Sequence, residues 1–165
     1  MKKVLLLAAF AIFAFSASNA QGQFRAGIDV GLPIGDFSDF YSFNVQLDVS
    51  MLWEVAESFD AGVITGYSHS FGKDFDTAFG TIPVDDAQFL PIAGAARYMI
   101  GDAFSLGADI GYALGINDGN DGGFYYRPRV AYGISDNADI VFSYTGVSVT
   151  GGTFNTITLG VDIGL

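Results

Sequence analysis

Cysteine is absent from this 165-residue chain, so neither a disulfide scaffold nor a thiol nucleophile is available. Positive charge is scarce: 7 Lys and Arg stand against 18 Asp and Glu, for a formal net charge of −11. Phosphate contacts need clustered cations, so nucleic acid is excluded as a partner. Charge of either sign is thin, at 15% of residues against about 25% in an ordinary soluble domain. Histidine occurs once, at position 69. Beyond the amino terminus no apolar run is long enough to cross a bilayer as a helix, which takes about 20 residues. Any crossing must then be made by strands.

The amino terminus reads as a leader. Lys2 and Lys3 form a basic start, Val4 to Phe15 an apolar run, and Ser16 to Ala20 a small, polar stretch in which Ser18 and Ala20 suit an A-x-A-like cleavage site. The apolar run is too short for a transmembrane helix. The sequence therefore predicts a cleaved secretory signal peptide over residues 1–20 and one domain over residues 21–165.

That domain is rich in Gly (22), Phe (16) and Tyr (8). From Phe104 to Ile116 it sets Phe104, Leu106, Ala108, Ile110, Tyr112, Leu114 and Ile116 against Ser105, Gly107, Asp109, Gly111, Ala113 and Gly115. Period two means a strand with two unlike faces. Similar alternation runs through 24–32, 43–53, 59–70, 89–100, 124–134, 139–149 and 157–165. In 139–149 the phase blurs at Gly146, which predicts a bulge. Pro91 and Pro128 cannot donate to a ladder, so pairing should be irregular near them. The connections 54–58, 101–103 and 135–138 are short, whereas 33–42, 71–88, 117–123 and 150–155 are generally longer and rich in Gly, Asp and Asn. The pattern predicts an all-β fold: an eight-stranded antiparallel up-and-down transmembrane β-barrel, with short periplasmic turns and longer outer loops.

Volume decides which face points outward. The bore of such a barrel is just wide enough for side chains to fill. Glycine and short polar residues suit it, and the bulky set suits lipid. Phe24, Trp53, Phe59, Tyr98, Phe104 and Tyr132 are expected at the periplasmic rim, with Phe43, Tyr67, Phe89, Tyr112, Tyr126 and Tyr144 at the outer rim, as two aromatic girdles. The bore would hold Arg25, Arg97, Arg127 and Arg129 with Asp29, Asp48, Asp60, Asp109 and Asp162. Buried charges must be paired, so these nine are read as a structural network that plugs the lumen. An ion or proton path is the rival reading, and an open diffusive pore does not fit eight strands.

Other motifs carry less. His69 lies in Gly66-Tyr67-Ser68-His69-Ser70, which lacks the final glycine of a hydrolase elbow, with Asp74 and Asp76 nearby. Asn117-Asp118-Gly119-Asn120-Asp121-Gly122 looks like the first half of a calcium loop without its closing glutamate. No catalytic residue, metal ligand or cofactor is assigned. The loops carry Asp36, Asp39, Asp74, Asp76, Asp85 and Asp86 against Lys73, an acidic surface suited to weak divalent-cation contacts.

Gly31-Leu32-Pro33-Ile34-Gly35-Asp36-Phe37-Ser38-Asp39, Gly66-Tyr67 and Ala96-Arg97-Tyr98 resemble the outer-membrane β-barrel domain family common in Bacteroidetes-type bacteria. The resemblance covers the mature chain. It implies an outer-membrane barrel similar to the small OmpX- and OmpA-type barrels, with no shared catalytic residues; because the chain stops at the eighth expected strand, no periplasmic peptidoglycan-binding domain is expected. One departure is the final Leu165, where such barrels often end on an aromatic residue. The expected function is a non-enzymatic, monomeric scaffold presenting acidic loops for surface interaction or adhesion. Its expected partners are outer-membrane lipids, lipopolysaccharide and the barrel-assembly machinery. Two alternatives are a lipid-modifying or proteolytic barrel enzyme using His69, and a soluble lipocalin-like ligand-binding barrel.

Overall fold

Alternation of period two is realised as long strands that close on themselves. The structure, a computed structural model, describes residues 22–77 and 80–165; the leader expected over 1–20 lies outside them. In chain order the strands are β1 (Gln23–Ile34), β2 (Tyr41–Ala56), β3 (Phe59–Gly72), β4 (Asp74–Thr77), β5 (Gly80–Pro83), β6 (Ala87–Ile100), β7 (Phe104–Gly115), β8 (Gly123–Ser135), β9 (Ala138–Val149) and β10 (Gly152–Gly164), with a short 3-10 turn at Gly35–Phe37. Eight of them form a closed barrel in the order β1-β10-β9-β8-β7-β6-β3-β2, and β4 and β5 form a separate hairpin inside the longest loop. Closure is by β1 against β10, antiparallel from Arg25 opposite Gly164 to Ile34 opposite Asn155. The barrel strands have 12 to 16 residues, enough to span a bilayer when tilted.

Three short turns, at 57–58, 101–103 and 136–137, share one end with the start of β1 and the end of β10. Ser58 takes a left-handed φ of 61°, and Gly101 one of 64°, as tight reversals require. At the other end lie the loops 35–40, 73–86 and 116–122. The turn between β9 and β10 shrinks to residues 150–151. The expected loop 150–155 is thus largely strand, because Phe154 and Thr156 keep their inward phase as far as the rim.

The faces divide by size. Ile28, Leu47, Val63, Ile92, Ile110, Phe142 and Leu159 point outward and are about half exposed. An apolar belt of that extent in water would be an aggregation surface, which removes the soluble lipocalin-like reading. Inside, strand backbones crowd one another. A Cβ at Gly111 would come 2.2 Å from the Ile92 carbonyl oxygen and 2.5 Å from Ala93 Cα, so only glycine fits.

Two local expectations change. β9 keeps its register through Gly146, which stands opposite Tyr126 and Asn155. The Tyr126 ring lies on the space where a Gly146 side chain would be, so the glycine is a seat for an aromatic ring rather than a bulge. Register shifts occur instead at 41/44, 54/56 and 133/135, near strand ends. The prolines do interrupt pairing. The β3–β6 ladder skips from Thr65–Ile92 to Ser68–Phe89 around Pro91, and the β8–β9 ladder from Tyr126–Gly146 to Arg129–Ser143 around Pro128.

Ile110, 57% exposed and central in β7, tests the lipid-facing assignment. Ile110→Arg should destabilise the barrel by about 2–4 kcal/mol in equilibrium unfolding from lipid bilayers. A neutral substitution would place that side chain away from the hydrocarbon.

Candidate functional site

The lumen is layered along its axis. At mid-height Arg127 reaches from β8 across the bore. It donates through Nη2 to Asp29 Oδ2 at 2.7 Å and through Nη1 to Asp48 Oδ2 at 2.8 Å. Both carboxylates sit on β1 and β2, nearly opposite β8 in the closed order. Arg127 Nε donates to Ser143 Oγ at 3.0 Å, and Ser143 Oγ meets Thr158 Oγ1 at 2.7 Å. Arg127, Asp29, Ser143 and Thr158 are all at most 1% exposed. A charge so placed is tolerable only because its partners surround it.

Toward the periplasm, Arg129 pairs with Asp162, and Arg25 with Asp139. Arg97 Nη1 lies 2.6 Å from Asp109 Oδ1 and also donates to the Ala96 carbonyl at 2.8 Å. Of the nine charges expected inside, eight thus enter ion pairs. Arg25 takes a partner outside that set, Asp139, the first residue of the alternating stretch 139–149. Asp60 is half-buried and enters none of the ion pairs among the described residues. Asp139 was findable: it precedes Val141 and Ser143 in the inward phase of β9. Below this belt a vestibule of about 710 Å³, lined in part by Arg25, Asp60, Arg97 and Asp139, opens at the periplasmic end.

Toward the outside the bore turns aromatic. Phe89, expected in the outer girdle, instead points inward and is 4% exposed. It alternates in phase with Pro91, Ala93, Ala95 and Arg97, all inward residues of β6. Phe154 stacks on Phe37 with ring centres 5.7 Å apart, meets Tyr41 edge-on at 5.0 Å and Phe89 at 5.4 Å. Tyr125 and Val147 complete the cluster. Between these rings and Arg127 remains a space of about 20 Å³, room for about one water.

His69 lies on the outward face near the outer rim. Its Nδ1 meets Tyr67 Oη at 2.8 Å and its Nε2 meets Asp86 Oδ2 at 3.0 Å, while the Phe71 ring centre is 4.3 Å away. The carboxylate is thus Asp86, from the end of the loop, rather than one from the 74–76 stretch. Ser68 and Ser70 lie on the opposite, inward face, where Asn44 Nδ2 donates to both at 2.9 and 2.7 Å. The sheet separates the only imidazole from its neighbouring hydroxyls, so they form no nucleophile–base pair. In the 117–122 loop, Asn117 Oδ1 accepts from Gln88 N at 2.9 Å and Asn120 Oδ1 from Gly122 N at 3.0 Å. The amide oxygens that a calcium ion would use are engaged in holding the loop.

Residues 5–163 match the family described as outer membrane protein beta-barrel domain. No curated protein matches the sequence. Among solved structures, Ail, the attachment invasion locus protein of Yersinia pestis, is similar with a TM-score of 0.58 at 14% identity, covering 88% of this chain and 99% of that one. Neisserial surface protein A gives a TM-score of 0.52 at 12% identity, over 87% of this chain and 97% of that one. A designed transmembrane β-barrel gives 0.56 at 12% identity, over 88% and 99%. At these identities the likeness concerns the fold.

Removing Arg127 would strand two buried carboxylates. Arg127→Met should lower the unfolding free energy by about 3–5 kcal/mol. Combining it with Asp29→Asn and Asp48→Asn should recover most of that loss. Equal losses in the single and triple variants, in denaturant titrations from bilayers, would show that Arg127 does not hold the pair.

Proposed function

The chain belongs to the outer membrane protein β-barrel domain family, and from that premise we propose that it is a non-enzymatic scaffold of the outer membrane, closed to solutes, that presents acidic loops for surface interaction. The observation that carries the closed reading is the double obstruction of the bore, by Arg127 with its two carboxylates and by the rings around Phe154. A through-path would need both layers to part. The nine-residue charge set is assigned a structural role in this reading, as lumen filling and not as a proton path.

The non-enzymatic reading is supported by the separation of His69 from Ser68 and Ser70 by the sheet. His69 then serves as an interfacial side chain among Tyr67, Phe71 and Asp86, where amphipathic rings are favoured. The outer loops carry Asp36, Asp39, Asp74, Asp85, Asp118 and Asp121 with a single nearby lysine, Lys73, whose Nζ donates to the Ser38 carbonyl at 3.0 Å. Ail has been crystallised with the heparin analogue sucrose octasulfate. A polyanion of that kind would be repelled by the loops here, so the partner surface is assigned positive or cation-bridged character. Contacts with lipopolysaccharide through divalent cations belong to the same reading. The chain is taken to cross the inner membrane on a leader cleaved after Ala20, to be inserted by the barrel-assembly machinery and to act as a monomer.

The purified protein reconstituted in planar bilayers should show no discrete conductance steps. Stable single-channel openings would overturn the closed reading. Intact-mass measurement of protein from outer-membrane fractions should give a mature chain beginning at Gln21. Recovery of the full-length chain there would remove the cleaved leader. His69→Ala should leave every surface property of the cells unchanged, and loss of an activity with the barrel still folded would restore the enzymatic alternative.

A further inference from the structure

The extracellular end of the bore is a pocket with its own chemistry. It holds about 320 Å³, within the range of small-molecule sites. Its floor and inner wall are aromatic: Phe37, Tyr41, Phe89 and Phe154 all line it. Phe89 and Phe154 are buried, whereas Phe37 and Tyr41 are half-exposed at the rim. Its upper wall carries Asp85, Asp118 and Asp121, all lining the same space. No lysine, arginine or histidine lines it.

These three carboxylates are free to act on a ligand. Asp86, beside them, accepts from Gly72 N at 2.8 Å and faces His69, but the carboxylates of Asp85, Asp118 and Asp121 have no hydrogen-bond or ion-pair partner among the described residues. The wall that carries them is held in place. Asn117 Nδ2 donates to the Asp86 carbonyl at 2.8 Å and Asn120 Nδ2 to the Gln88 carbonyl at 2.9 Å, which ties the 117–122 loop to the start of β6. A ligand therefore meets a wall already ordered, and little freedom is lost on binding.

Aromatic faces attract cations through their quadrupole, and quaternary ammonium groups are recognised in this way. Carboxylates above the rings add attraction for the same charge and repel anions. We propose that the extracellular mouth, with its floor at Phe37, Tyr41 and Phe154 and its rim at Asp85, Asp118 and Asp121, binds a small alkylated ammonium compound. This deepens the surface-interaction reading and rests on it, since the pocket is useful only if these loops face the cell exterior. The occupant is a free small molecule: the aromatic plug floors the pocket and gives it the depth of one compact group rather than a long groove.

The mature barrel in nonionic maltoside micelles can be titrated with choline and with 3,3-dimethylbutan-1-ol, its neutral carbon isostere, while side-chain NMR signals of Phe37 and Tyr41 are followed. Choline should shift these signals saturably and bind at least ~tenfold more tightly than the alcohol, about 1.4 kcal/mol. Asp85→Asn, Asp118→Asn and Asp121→Asn together should weaken choline at least ~tenfold and leave the alcohol unchanged. Tyr41→Leu, which keeps the wall apolar but removes a ring, should also weaken choline alone, and it supplies the answer if the triple variant does not fold. Equal binding of the two compounds, an unchanged choline affinity in the folded variants, or no saturable shift at the mouth would overturn the proposal. Failure here with an intact, non-conducting barrel leaves the scaffold reading standing. Loops inaccessible to added protease on whole cells would sink the scaffold reading whatever choline does in micelles.

Discussion

A sheet edge cannot stay unpaired in hydrocarbon, because each lone N–H or C=O there costs several kcal/mol. The pairing of β1 with β10 removes that edge, and much else in the molecule follows from it. Closing eight strands sets the radius of the bore. The radius then sorts the side chains. Large apolar groups such as Ile28, Ile92 and Leu159 have room only outside, and the neighbouring backbones allow no side chain at all at positions such as Gly111. The outward belt is thus a consequence of a narrow interior as much as of a greasy solvent.

The same narrowness makes the interior a place where charge must be matched nearly atom for atom. Arg127 is long enough to reach from β8 to carboxylates on β1 and β2, and its planar fork can serve both of them at once. A lysine would offer one compact charge without that fork. The bond to Ser143, which itself meets Thr158, extends the contact to β9 and β10. One guanidinium therefore ties β8 to β1 and β2, with which β8 shares no ladder, a cross-brace for a cylinder whose backbone wall is built of neighbour-to-neighbour ladders. The stranding of Asp29 and Asp48 without it explains why this brace is all or nothing.

Most of the architecture was legible because it rests on a period of two, and closure magnifies that period. Ile110 and Asp109 are neighbours in sequence and occupy opposite media, so a single phase assignment places a whole strand. The errors came from judging a residue by type instead of by phase. Phe89 was assigned to the outer girdle because it is aromatic, yet it shares its phase with Ala93, Ala95 and Arg97. Phe154 and Tyr125 follow the same rule, in phase with Thr156 and with Arg127. Asp139 is missing from the expected charge set, although it opens the alternating stretch 139–149 and Val141 and Ser143 fix its side. What phase could not supply is partnership across the bore: that Arg127 meets Asp29 and Asp48 depends on the closed strand order, which no local pattern encodes. The Asp86 partner of His69 was hidden for a related reason, since the 73–86 loop must fold back through its own hairpin before Asp86 returns to β3.

The two ends of the lumen differ in a way the strand pattern alone does not require. The periplasmic end is a vestibule in which Arg25 pairs with Asp139 and Arg129 with Asp162, while Glu54, Asp60, Asp102 and Asp136 also line it. Its three arginines are outnumbered by six acids, so the vestibule keeps a net negative lining. The extracellular end is floored with rings and rimmed by Asp85, Asp118 and Asp121, whose carboxylates have no partner among the described residues. Leaving these three carboxylates unpaired keeps a negative potential at the mouth at the cost of some self-repulsion between loops.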